Sequence, residues 1–168
     1  MPSIHLETFI RAPAARCFNV ARNIDAHVAA ASVFKHRAVG GVTTGLISLG
    51  EEVTWEARIF GVRQRLTSRI VEMEEPRRFV DEMQRGAFAR WRHTHTFEPR
   101  AGGTLMTDAV SFASPLGLLG AMVDALFLKK YMTRFLLGHN AALKETAERA
   151  SHDEAASNSS LNTDDGRT

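Results

Sequence analysis

The sequence predicts an α+β fold in which a curved antiparallel sheet of about six or seven strands wraps around one long C-terminal helix. Three observations predict it. Residues 114–149 carry Leu119, Val123, Leu126, Tyr131, Phe135 and Leu143 at helical steps, and Leu118, Met122, Phe127, Leu128, Met132 and Leu136 widen that stripe until it needs cover on more than one side. Between Glu51 and Phe112 the apolar period drops to two, the signature of strands with one buried face. Turn signals at Phe60-Gly61, Glu74-Glu75-Pro76, Arg85-Gly86 and Pro99 to Gly103 punctuate the alternation, so successive strands fold back on one another.

Taken in order, Ile4, Leu6, Thr8 and Ile10 alternate as a first strand. Pro13 then starts a helix of good helix formers that runs to Arg22 and ends near Asn23, and Asp25 is placed to cap a second short helix through Ala31. Residues 34–39 suit another strand, and the glycine-rich residues 40–45 a turning connection. Val53, Trp55, Ala57 and Ile59 then share one face against Glu52, Thr54, Glu56 and Arg58. In the next strand Val62, Gln64, Leu66, Ser68 and Ile70 oppose Arg63, Arg65, Thr67 and Arg69, whose guanidinium groups are expected to face water opposite those glutamates. Three inward sets follow: Phe79, Asp81 and Met83; Trp91, His93, His95 and Phe97; and Met106, Asp108, Val110 and Phe112. Ser114 is the expected N-cap of the long helix with Pro115 at its first position; Gly117 and Gly120 permit a bend there, and Gly138 weakens the helix interior. Beyond Ser151 the only large apolar residue is Leu161, so residues 1–150 are read as one domain and residues 151–168 as a disordered tail.

The 168 residues, 44% hydrophobic and 24% charged, suit a single domain with a full core. A formal charge of +2, from 21 basic and 19 acidic residues, lacks the basic excess of a dedicated nucleic-acid binder. Cys17 is the only cysteine, which excludes an internal disulfide and fits a reducing compartment. The N-terminus shows no signal-like apolar core, and the run from Leu116 to Leu128 is too short to span a bilayer. A soluble, cytoplasmic protein, monomeric or homodimeric, is the expectation.

The order strand, two short helices, antiparallel strands and long helix resembles the helix-grip superfamily, also called START-like or SRPBCC, and in particular its bacterial polyketide cyclase/dehydrase-like members. The local resemblance rests on Ala12-Pro13-Ala14-Ala15 with Phe18, on Asp25, and on Gly103-Thr104 with Asp108 leading to Ser114-Pro115-Leu116-Gly117. It implies a hydrophobic ligand held between sheet and helix, with catalysis in only some members. On that analogy the expected ligand-binding residues are Trp55, Phe79, Met83, Trp91, His93, His95, Met106, Asp108, Phe112, Met122, Phe127, Tyr131 and Phe135.

The chemistry the residues suggest by themselves centres on His93 and His95. Two positions apart on a strand, they project to one face, and hairpin pairing brings Asp81 and Asp108 onto adjacent strands. Such a cluster serves as a metal site, as a general acid/base pair or as a set of polar anchors; the plainest reading is imidazoles satisfied by carboxylates in the core. A third metal ligand is not assured, so no metal and no cofactor are assigned. The His-Thr-His triplet also resembles the metal motif of cupins, but Glu98 falls on the wrong face or in the turn. Three functions compete. The first is binding of a hydrophobic small molecule such as a lipid, an isoprenoid or a polyketide-like aromatic. The second is a cyclase or dehydratase in which His93 or His95, with Asp81 or Asp108, moves a proton. The third is a protein-interaction module on the outer face that bears Arg63, Arg65, Arg69, Arg90 and Arg92.

Overall fold

A computed structural model describes residues 3–30, 36–59, 62–113 and 127–161. Strand β1 (Ser3–Ile10) is followed by helices α1 (Ala14–Ala21) and α2 (Ile24–Ala30). The chain then forms β2 (Arg37–Gly41), β3 (Glu52–Ile59), β4 (Val62–Glu74), β5 (Arg78–Arg85), β6 (Arg90–Arg100) and β7 (Gly103–Ala113). Helix α3 (Lys129–Leu161) closes it. The seven strands make one antiparallel sheet in the order β1-β7-β6-β5-β4-β3-β2. This is the helix-grip arrangement, with α3 packed on β1, α1 and α2.

The alternation seen in the sequence sets the faces. His93, His95 and Phe97 on β6, and Met106, Asp108, Val110 and Phe112 on β7, are all buried. On the outer face Glu56 pairs with Arg65 and Glu52 with Arg69 across β3 and β4, in register. Arg37 closes on Glu56 from the other side at 2.5 Å, and Arg92 lies between Glu72 and Glu82. Of the five outer arginines, Arg65, Arg69 and Arg92 thus pair with glutamates of the same face.

Among the described residues two apolar clusters fill the interior. Phe18 of α1 sits edge-on to Phe79 and Phe97 at centroid separations of 5.5 and 5.6 Å, joined by Ile10, Ile70, Met106 and Leu143. Ile4, Val110, Phe112, Met132 and Leu136 form the second. Cys17 is buried beside the first, and burial pushes its thiol up, in keeping with an inert residue. The corner between β1 and α1 is tied to β7: the Thr104 hydroxyl donates to the Ala12 carbonyl at 2.7 Å. A Cβ on Gly103 would lie 2.2 Å from the Ile10 carbonyl oxygen, so only glycine allows the two strands this approach.

Three expectations are corrected. Asn23, not Asp25, caps α2: its Oδ1 accepts the backbone N–H of Asp25 at 2.9 Å and of Ala26 at 3.1 Å. Both residue types cap well, and Asp25 is engaged by the backbone N–H of Gly45 instead. The tail is not irregular throughout, because α3 continues to Leu161. Extending an existing helix through a segment without Gly or Pro avoids the cost of nucleation. Gly40 and Gly41 belong to β2 rather than to the turn after it. The proposed start of the long helix, Ser114 with Pro115 through Leu126, lies outside the described residues.

Candidate functional site

Between the inner face of the sheet and α3 lies a cavity of about 420 Å³ whose wall draws on both apolar clusters. Its polar floor is built by register. His93 on β6 stands opposite Asp81 on β5, and His95 opposite Asp108 on β7, so the two imidazoles lie between two carboxylates. Their ring centroids are 3.8 Å apart, and Phe79 stacks on His95 at 4.3 Å.

Asp108 anchors this floor. Only 1% exposed, its Oδ1 accepts a hydrogen bond from His93 Nε2 at 2.9 Å and lies 2.8 Å from His95 Nδ1, at an angle poor for a hydrogen bond. Its Oδ2 accepts from Asn140 Nδ2 of α3 at 2.6 Å, which ties helix to sheet. On the cavity side, Asp81 Oδ2 is 3.7 Å from both His93 Nδ1 and His95 Nε2, while its Oδ1 accepts from the Ser68 hydroxyl at 3.0 Å.

Burial and charge oppose each other here. Burial alone would push His95 down, but the close carboxylates of Asp108 and Asp81 override it and hold the ring up at about 9. Burial alone would raise both carboxyls; the facing imidazoles outweigh it and hold Asp81 below, and Asp108 well below, the usual carboxylate range. Across the cavity the pattern reverses. Burial pushes His27 and His36 down to about 4, and burial with the nearby His27 pushes His139 well below its ordinary value. The rings of His27 and His139 are 4.4 Å apart, Phe135 stacks on His139, and His36 contacts Trp55 and Phe135. His139 Nδ1 is buried with no hydrogen-bond partner among the described residues.

The structure therefore brings Trp55, Phe79, Asp81, Trp91, His93, His95, Tyr131 and Phe135 to the cavity wall. Asp108 lies behind the two imidazoles rather than in the wall. Met106 and Phe112 are fully packed in the two clusters. Met83 does not line the cavity; its sulfur lies against Gly86, and it borders a separate pocket with Trp91 and Arg92. Phe127, in the π-helical turn just before α3, is 64% exposed and does not line the cavity, whereas its neighbour Leu128 does. Met122 lies outside the described residues. Glu98 is exposed and paired with Arg100, which removes the cupin-like alternative.

Four site residues escape a strand-by-strand reading: His27, His36, His139 and Asn140. The last two had a signal in the sequence. They stand three to four residues from Leu136 and Leu143, on the face of α3 that packs inward.

Over residues 1–148 the sequence matches the family described as polyketide cyclase/dehydrase and lipid transport. The chain belongs to this family. Its fold is that of the START-like superfamily. A crystal structure of a protein from Thermus thermophilus superposes with a TM-score of 0.71 at 20% identity, covering 89% of this chain and 99% of that one. A START superfamily protein from Mycobacterium smegmatis gives 0.67 at 16% identity, covering 88% and 98%. A major latex-like protein from Panax ginseng gives 0.63 at 13% identity, covering 87% and 97%. No curated protein matches the chain. At such identities the likeness is one of fold. Among the described residues no helix of this polyketide cyclase-type domain is long and apolar enough to cross a membrane.

Proposed function

We propose that this domain binds a hydrophobic small molecule, of lipid, isoprenoid or polyketide-like aromatic character, with a polar end against His93, His95 and Asp81. One observation carries the reading. Protein interiors close-pack, yet here about 420 Å³ stays open between two well-packed clusters, under an apolar wall with a few convergent polar groups. The volume lies in the range of sites for small organic ligands. Native mass spectrometry after gentle purification, with titration of an apolar fluorescent probe, tests it. Uptake should be lost in Ala57→Trp, which fills the cavity from β3 and belongs to neither packed cluster. A uniformly empty protein that also takes up no probe would refute the reading.

The second reading is a cyclase or dehydratase in which His95 or His93, with Asp81, moves a proton on a bound ketone. It is favoured by Asp108, a buried carboxylate that braces both imidazoles from behind while Asp81 faces them from the cavity. Replacing both histidines by asparagine should then abolish turnover of an identified substrate while probe uptake persists. Unchanged turnover would dismiss the catalytic role and leave binding intact.

A further inference from the structure

We propose that Asp81, His93 and His95 form a binding site for a divalent first-row transition metal ion, zinc being the best match, at the floor of the cavity. The sequence left the third ligand open; the pairing of β5 with β6 supplies it by placing Asp81 opposite His93.

The donor geometry comes first. The nitrogens not engaged by Asp108 are His93 Nδ1 and His95 Nε2, and each lies 3.7 Å from Asp81 Oδ2. All three donor atoms fall within 4.8 Å of one another. Donors on a tetrahedral zinc ion at about 2.1 Å are themselves about 3.4 Å apart, so small side-chain rotations close the site. The supports behind the ligands have the form that metal sites use. Asp108 Oδ1 lies 2.9 Å from His93 Nε2 and 2.8 Å from His95 Nδ1, which orients both rings and leaves their other nitrogens facing the cavity. Asn140 holds Asp108, and the Ser68 hydroxyl holds Asp81 Oδ1, leaving Oδ2 as the donor.

The ligands stand on strands, not loops, and both histidines are under a tenth exposed. Two imidazoles and one carboxylate suit zinc, cobalt(II) or iron(II) rather than magnesium or calcium, which take oxygen donors. The fourth position opens into the cavity, where an oxygen of a bound molecule would complete the shell. That last step rests on the proposed ligand binding; the metal site does not.

The test uses the full chain without a histidine tag, stripped with a chelator and titrated with cobalt(II) and no organic ligand. Expected are the absorption bands of a low-coordinate cobalt(II) site saturating at one ion per chain, and their displacement by zinc. Asp81→Asn, His93→Gln and His95→Gln should each abolish the bands, and Asp108→Asn should weaken binding on the order of 10–100-fold. The exposed His5→Gln variant should bind as the parent does. Asp81→Asn is nearly isosteric and decides the matter if a histidine variant fails to fold. No uptake at stoichiometric cobalt, or uptake that survives Asp81→Asn, overturns the site. Cobalt binding in a protein that takes up no apolar probe would sustain the metal site and refute the proposed function alone.

Discussion

The Asp108→Asn variant probes the floor of the cavity most directly, because it removes one charge and almost no volume. Asp108 is buried and faces His93, His95 and Asn140. Breaking a buried, hydrogen-bonded charge pair costs about 3–5 kcal/mol. In a chain of this length that corresponds to a fall in Tm of roughly 6–20 °C.

The pH dependence separates this cause from lost packing. His95 titrates at about 9 in the folded protein against 6.5 in the unfolded chain. A raised folded value means stability fully present below pH 6.5 and lost as pH rises through 9, about 3 kcal/mol in all. The Asp108→Asn variant lacks the main group holding His95 protonated, so its alkaline loss should be much smaller and the gap between the two proteins should narrow from pH 6 to pH 9.5. Urea unfolding of metal-free protein followed by the fluorescence of Trp55 and Trp91 measures it. Two curves that run parallel over that range would show that Asp108 does not hold His95 protonated.

On the acid side the sign reverses: His27 and His36, at about 4 when folded, favour the folded state above pH 6.5 and lose up to about 3 kcal/mol each as pH falls toward 4. His27→Gln should flatten the acid limb of the same urea series. Gly103→Ala should destabilise by about 1–3 kcal/mol or more in thermal unfolding, since its Cβ meets the Ile10 backbone rather than a flexible side chain. Gly138→Ala should do the opposite, adding about 1 kcal/mol, because the site is solvent-facing within α3 and a Cβ there meets nothing within 4 Å.

The sheet and its His/Asp floor were legible because strand alternation and hairpin turns are local and together fix which residues stand opposite one another. His93 against Asp81 and His95 against Asp108 follow from two hairpins. Met83 was misplaced because alternation fixes the face of a residue but not which neighbour its long side chain leans on, here Gly86. The far wall was not legible in the same way. Where His27, His36 and His139 converge depends on how α2 and α3 settle on the sheet, a tertiary fact with no fixed offset in sequence. Asn140 stands on the inward face of α3, but its partner, the buried Asp108, comes from a strand 32 residues earlier, which no helical spacing reveals.

The charges on the cavity wall bear on which polar end a ligand brings. Asp81 and Asp108 are both held in the ionised range, His95 is held protonated between them, and His27, His36 and His139 are held neutral, so two carboxylate charges stand against the one on His95 and a fatty-acid carboxylate reaching Asp81 meets like charge there. A hydroxyl or ketone does not. Dodecanol should therefore displace an apolar fluorescent probe at lower concentration than dodecanoate does from chelator-treated protein. Zinc at the site would reverse that preference, since the cation neutralises Asp81 and offers a position for an anionic oxygen. The two ligands share one chain length, so equal displacement by both, with and without zinc, would mean that the polar floor takes no part in recognition and that the apolar wall alone selects what enters.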